Sequence, residues 1–388
     1  MDRDRESGSL FDEPFEDQAA AASHVIEVAF ESGVDTLFSY CVPDPLWPVQ
    51  VGQRVGAPFG RGNRAEVGFC VGIAPKGDAG ATASVRGRPI RLRAISVVLD
   101  DEPLLDAHLM ELARWISAYY VCPLGQVLSA MVPGPVKRSA GVKGDRHVYL
   151  LARDPGAAQG VKGSKQARIV ALLQDLQAVD EGSASPVREV LKRIGCTTAP
   201  LKQLASRQVV RVILRSSLTS RPIPGRDPVT GSLDPDLPLN ADQQKALDHV
   251  TGQLEAGRFA VTLLHGVTDS GKTEVYIQAL RRVLERGRGG IVLVPEIALT
   301  TQMVQRFSRR FQDLAVLHSG LTGPQRNLQW QRIRSGQARV VIGARSAIFA
   351  PLPRLGLVVV DEEHEPSFKQ DTVPRYHARD VAIKRAQL

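Results

Sequence analysis

Residues 265–276 read HGVTDSGKTEVY, and Gly266 to Thr273 within them fit the spacing G-x-x-x-x-G-K-T. No other feature constrains the fold as much. The spacing works only where a strand enters a tight turn and the turn opens a helix. Backbone N–H groups and the helix N-terminus then face a phosphate chain. The flanks agree: FAVTLLHG (259–266) reads as a buried strand and Lys272–Glu285 as a helix. Downstream, the apolar runs GIVLVPE (290–296), LAVLH (314–318), ARVVIGA (338–344) and LGLVVVDEE (355–363) read as strands, with ALTTQMVQRFSRRF (298–311) as a helix among them. That alternation predicts an α/β lobe with a parallel sheet covered on both faces.

The chemistry follows from residue type. Gly266, Val267, Thr268, Asp269, Ser270 and Gly271 would cradle the phosphates of ATP, with Glu274 closing the nucleotide site. Lys272 would reach the β- and γ-phosphates, and Thr273 would ligate Mg²⁺ through its hydroxyl. Asp361-Glu362-Glu363-His364 follows the apolar strand LGLVVV. There Asp361 would hold the Mg²⁺ and Glu362 would orient the attacking water. Upstream, LNADQ (239–243) brings Gln243, whose two-sided amide suits an adenine edge, although the same residues also make an ordinary helix start. Asp269 sits oddly in this set. A carboxylate ~4–5 Å from a phosphate costs on the order of a few kcal/mol at an effective dielectric near 20.

Charge points to a polyanion. The chain carries +8 overall, yet residues 1–17 hold seven acids and two bases. Between Lys137 and Arg168 there are eight Lys or Arg against two Asp. A basic body of this kind suits nucleic acid, and equally a merely basic enzyme. The four cysteines, Cys41, Cys70, Cys122 and Cys196, form no C-x-x-C pair, which argues against zinc and against a disulfide framework. With no apolar run of membrane length and no leader-like N-terminus, a cytoplasmic, nucleoid-associated protein is expected.

Six stretches are expected. Residues 1–22 read as a disordered acidic tail. Residues 23–136 form a small β-rich domain, with strands at HVIEVAF (24–30), TLFSYCV (36–42), QRVGAPF (53–59) and EVGFCVGI (66–73), a helix over 104–121, and a Pro/Gly-rich close. Residues 137–165 read as a basic linker with at most one short strand, HVYLLA (147–152). Residues 166–217 give three helices and a basic wing, VVRVILRS (209–216), the outline of a winged helix; Ser185 should cap the second helix with Pro186 at its first position. A linker over 218–238 leads to the lobe at 239–388.

Taken together, LNADQ, GVTDSGKTEVY, VPEIALT, HSG, VVIGARSAIFAPL, VVDEEHEPSFKQ and PRYHARDVAIKRA resemble the PriA-type primosomal protein N′ family, superfamily 2 helicases of replication restart. The likeness covers nearly the whole chain and implies that residues 239–388 are a RecA-like parallel α/β motor lobe 1. It implies a domain for the 3′ end of the nascent strand, read by Phe38, Ser39 and Tyr40, where the family often has Phe-Asp-Tyr. It also implies a single-strand path lined by Pro295, Glu296, Thr300, Arg345 and Ser346, with Arg345 on a phosphate. The loop SFKQDTVPRYHARD (367–380) resembles the family's aromatic-rich loop; Phe368, Tyr376 and His377 would either stack on bases or pack inside the lobe. Forked and single-stranded DNA, primosome proteins and single-strand-binding protein are the partners it implies.

The family continues beyond the equivalent of Leu388 with a zinc-binding region and a second motor lobe. Zinc is therefore expected of the full-length family, and no zinc ligands are present here. Where the family has glycine in G-V-T-G-S-G-K-T, this chain has Asp269. Two functions stay open: an ATP-dependent 3′-to-5′ DNA helicase of which lobe 1 is present, or a fork-binding primosome scaffold with little ATPase because of Asp269.

Overall fold

The computed structural model describes residues 24–60, 64–74, 82–85, 88–138, 142–151, 164–180, 182–206, 209–218, 233–267 and 270–388. The expected acidic tail, most of the 218–238 linker, Thr268 and Asp269 lie outside them. The chain forms two compact units, one of residues 1–138 with 222–388 and one of residues 139–221.

The first unit begins as an antiparallel sheet. Its strands are β1 (His24–Phe30), β2 (Phe38–Val42), β3 (Arg54–Phe59), β4 (Arg64–Ile73) and β7 (Val97–Val98), in the order β2-β1-β4-β3-β7. A separate hairpin pairs β5 (Thr82–Val85) with β6 (Arg88–Arg91). Alternation places Ile26, Val28 and Phe30 of β1 in the core with Tyr40 and Val42 of β2. Helix α1 (Ala107–Tyr119) starts at Asp106, whose side chain accepts from the Leu109 N–H at 2.8 Å. Its Leu109, Leu112, Ala113 and Ile116 recur at helical spacing and are buried. The Pro/Gly-rich stretch expected as a simple close is helical: α2 (Leu124–Met131) and α3 (Gly134–Lys137). Prolines precede both helices, where a missing N–H costs nothing.

The second unit is built on one long antiparallel pair. Strand β8 (Val142–Leu150) runs beside β10 (Val210–Leu218) over nine residue pairs, with β9 (Ser185–Pro186) on the far edge of β8. The expected basic linker therefore supplies a full strand. Lys and Gly lower strand propensity locally, and the pairing across 60 residues overrides it. Three helices, α4 (Ser164–Asp175), α5 (Val187–Ile194) and α6 (Ala199–Ser206), pack on this sheet through Ile169, Leu173, Val190, Leu204 and Val148. Helix α5 starts one residue later than expected, with Pro186 at its N-cap position and Gly195 ending it at φ 68°.

The lobe returns to the first unit. Helix α7 (Ala241–Ala256) precedes the phosphate loop and α8 (Lys272–Glu285) follows it. Then come β11 (Gly289–Leu293), α9 (Thr301–Arg310), β12 (Leu314–Leu317), α10 (Gly323–Arg334), β13 (Val340–Gly343), β14 (Leu355–Val360) and α11 (Ala378–Gln387). The four strands are parallel in the order β12-β13-β11-β14. Period-2 alternation divides them between two cores. Val292, Val316 and Ile342 face Phe307 and Leu280, whereas Ile291, Ala315 and Val341 face Trp330 and Ile348. The second of these cores continues unbroken into Leu112, Leu128 and Met131 of the N-terminal part.

One expected strand is missing. FAVTLLHG (259–266) joins no strand among the described residues, and Val261 and Leu263 are 65% and 75% exposed. Strand β14, paired on one side only by β11, is half-buried along its length. A cavity of about 1220 Å³ lies between that strand and the 259–266 segment. Apolar patterning could not show this outcome, because it reports what a segment gains on burial and not whether an edge is reached.

Candidate nucleotide site and nucleic-acid interface

The loop is held from both ends. Gly271 stands at φ 81° at the start of α8, a left-handed conformation that favours glycine. A Cβ there would lie 2.3 Å from Nε2 of Gln243. The Gln243 amide is already committed: its Oε1 accepts from the Asn240 N–H at 2.9 Å, and its Nε2 donates to the Ser270 carbonyl at 2.8 Å. It braces the loop against α7, using both ends of the group expected to read adenine. Within the loop, the Ser270 N–H donates to the Val267 carbonyl at 3.2 Å. The Lys272 ammonium folds back onto the carbonyls of Gly266 (2.7 Å) and Val267 (3.0 Å).

Across from the loop, the Asp361 N–H donates to the Leu293 carbonyl at 2.9 Å, which fixes the end of β14 against β11. Its Oδ2 accepts from the Tyr276 hydroxyl at 3.1 Å. Burial pushes the Asp361 carboxyl above the usual carboxylate range; the Tyr276 hydrogen bond and the Lys272 ammonium oppose that push, and Glu362 adds to it. The Tyr276 hydroxyl is itself driven up, by burial first and then by the Asp361 charge. Glu362 adopts φ 49°, a strained value for a non-glycine residue, costing about 1–2 kcal/mol. Such strain persists only where surrounding contacts enforce it. Lys272, Thr273 and Asp361 are a hard-oxygen and cationic set, and a half-buried carboxylate opposite an ammonium fits a metal-bound triphosphate. Among the described residues no cluster of three or more metal-type side chains occurs, and all four cysteines are thiols.

Glu274 lies at the loop's end, and its carboxylate is engaged by protein groups. Its carboxylate takes Arg310 at 2.6 and 3.1 Å, the Leu237 N–H at 3.1 Å and Gln278 at 2.9 Å. Burial alone would raise its pKa, yet these hydrogen bonds outweigh burial and hold it below the usual range. Arg310 also binds Asp236 at 2.7 Å, so the chain entering the lobe, α8 and α9 meet at one guanidinium.

Burial separates the residues expected to read DNA. Phe38 and Tyr40 share the core face of β2, where Phe38 packs edge-on to Phe59 and the Tyr40 hydroxyl donates to the Pro58 carbonyl at 2.8 Å. Ser39 points to the opposite face, exposed and in register with Glu27. These three do not form one pocket. Phe368 and Tyr376 are 1% and 2% exposed, and Tyr376 packs edge-on to Phe349 at 5.1 Å. Both side chains belong to the core and neither is placed to stack on a base. His377 caps α11, its Nδ1 accepting from the Arg379 N–H at 3.3 Å. Arg345 donates to the carbonyls of Ser367 (3.2 Å) and Lys369 (2.5 Å), so it pins the 367–377 loop. Ser346 is exposed beside it, Thr300 caps α9, and Glu296 binds Ser319.

Three contributors escaped sequence reasoning. Tyr276 lies four residues after Lys272 on one helix face, a spacing that could have flagged it. Arg310 is too distant in sequence from Glu274 for any local signal. Tyr120 ends α1 and accepts from the His377 N–H at 3.0 Å while donating to Asp380 at 3.3 Å. It joins the N-terminal part to the loop after the acidic tetrad.

Comparison with known proteins fits this geometry. Residues 27–133 match the family described as 3'DNA-binding domain (3'BD), and residues 240–382 match the DEAD/DEAH box helicase family. Fold and site thus define a helicase-type lobe carried with a 3′ DNA-binding domain. The replication restart protein PriA of Bacillus subtilis (strain 168) is 32% identical over 429 residues, covering 94% of this chain and 51% of that protein. The Haemophilus influenzae protein of that name is 36% identical over 371 residues, covering 94% and 47%. That of Helicobacter pylori is 44% identical over 130 residues, 33% of this chain and 21% of its own. Over 94% of its own length the chain is similar to the first two of these replication restart proteins, and it spans about half the length of each.

Proposed function

We propose that this chain is the DNA-binding and nucleotide-binding half of a replication-restart protein. It engages abandoned forks at the 3′ end of the nascent strand, promotes primosome assembly with single-strand-binding protein nearby, and supplies lobe 1 of an ATP-dependent 3′-to-5′ helicase. The observation that carries this reading is the packing of a phosphate-loop lobe and a 3′ DNA-binding fold into one unit, bridged at Tyr120 and His377. Lys272 would hold the β- and γ-phosphates, releasing the Gly266 and Val267 carbonyls, and Thr273 with Asp361 would hold Mg²⁺. Bound Mg²⁺ would neutralise the phosphate charge. Glu362 stands at a strained turn beside that site and would position water. Hydrolysis in this superfamily occurs between two lobes, and residues 239–388 would supply the first of them.

The test is titration with a fluorescent ATP analogue and Mg²⁺, comparing wild type, Lys272→Ala and Asp269→Gly. Loss of a charge-assisted contact should weaken binding about tenfold to a hundredfold in Lys272→Ala. Asp269→Gly should tighten it. A wild type that binds no nucleotide while Asp269→Gly does would replace this reading with that of a scaffold whose motor is silent.

A further inference from the structure

The aromatic side chains buried in the 367–377 loop are matched by an aromatic group that is not buried. At the end of α1, the Trp115 and Tyr119 rings stack at 4.7 Å with 17° between their planes, and Tyr120 meets Tyr119 edge-on at 4.9 Å. Tyr119 is 59% exposed, and the next apolar side chain, Val121, is 90% exposed at φ 48°. The group is not loose. Trp115 and Tyr120 pack on the large core, and the Tyr120 hydroxyl is held by His377 and Asp380. The Lys369 ammonium lies 5.3 Å from the centre of the Tyr120 ring and spends one of its three donors on the Arg375 carbonyl at 2.6 Å. Two acids are also close, Asp380 and Glu363, and Arg379 pairs with both, at 3.5 and 2.7 Å.

A rigid stack of half-buried Trp115 and exposed Tyr119, next to a Tyr120 ring that carries an ammonium, is the arrangement that takes unpaired bases: the π-face accepts any base and the cation takes the neighbouring phosphate. We propose that Trp115 and Tyr119 form a base-stacking platform for single-stranded DNA, with Lys369 on the adjoining phosphate. The inference rests on the DNA-binding reading above. It moves the stacking surface from the loop's own aromatic residues to the end of α1. Through Tyr120 the platform touches the backbone of His377, so strand engagement is communicated to the loop that follows Asp361. Nucleic acid is favoured over a protein partner by the cation beside the rings and by the chain's net charge of +8.

The experiment is fluorescence anisotropy of the 388-residue chain with labelled oligothymidylate, alongside thermal melts. Tyr119→Ala should weaken binding about fivefold or more, Tyr119→Phe should match wild type, and Tyr119→Leu should behave as the alanine variant, since only a π-face serves. Quenching of tryptophan emission by the oligonucleotide should be lost in Trp115→Phe. Equal affinity of Tyr119→Ala, Tyr119→Leu and wild type would overturn the platform while leaving the DNA-binding reading intact, and would leave the patch to a protein contact. A wild type that binds no DNA would overturn both.

Discussion

The Tyr276 hydroxyl donates to Asp361 Oδ2 across 3.1 Å, tying the helix that opens after the phosphate loop to the strand end that carries the acidic tetrad. Tyr276→Phe should cost about 1 kcal/mol in urea unfolding and push the Asp361 carboxyl further up, read by ¹³C titration. The sign of the Asp361 effect is fixed by its cause. Its folded pKa is raised by burial above the ordinary 3.8, so its contribution to stability falls as pH rises from that value through the folded one. Asp361→Asn should therefore melt higher than wild type near neutral pH, with the gap closing in acid, while losing Mg²⁺-dependent nucleotide binding.

Glu274 and Arg310 are each 5% exposed at the side chain and lie 2.6 Å apart. Removing one partner strands the other charge. Glu274→Ala should lose about 3–5 kcal/mol in denaturant unfolding, and the pair Glu274→Leu with Arg310→Leu should recover much of that. Because the Glu274 pKa is lowered from 4.5, its stabilisation is present above that value and disappears as pH falls through the folded pKa. Glu274→Gln should flatten the acid limb of the stability curve.

Gly125 marks where α2 crosses β1. A Cβ there would sit 1.8 Å from the Phe30 carbonyl oxygen, a backbone atom that cannot swing aside. Gly125→Ala should destabilise the first unit by about 1–3 kcal/mol or more. Gly195→Ala, at φ 68° with nothing within 4 Å of the added atom, should cost about 1 kcal/mol. Differential scanning calorimetry of both variants checks the ranking.

Local chemistry was legible wherever one segment carries its own instructions. HVIEVAF alternates and is β1 to the residue, and Lys272–Glu285 is α8 to the residue. What escaped depends on partners far along the chain. Strand β8 exists because β10 pairs with it, against its basic and glycine-rich composition. The 259–266 segment has the apolar pattern of a strand but not the paired edge. Phe368 and Tyr376 show the ambiguity of aromatic residues, since ring chemistry alone does not separate stacking on a base from packing on Phe349. Tyr120 ends a helix unremarkably in sequence; its role appears only where His377 meets it.

Tyr120→Phe removes a hydroxyl that joins the N-terminal part to the loop backbone. The variant should leave the His377 N–H without that acceptor and cost about 1–2 kcal/mol. Limited proteolysis within 366–377 should quicken, and hydrogen exchange at His377 should rise, with little change elsewhere.

The proposed function has residues 27–133 recognise the 3′ end of a nascent strand at a fork. Its most direct test is equilibrium binding of the 388-residue chain to two otherwise identical forks, one with a free 3′-hydroxyl at the branch and one with that end blocked by phosphate. The account predicts clearly tighter binding to the free 3′-hydroxyl fork. Equal affinity for the two forks would contradict it.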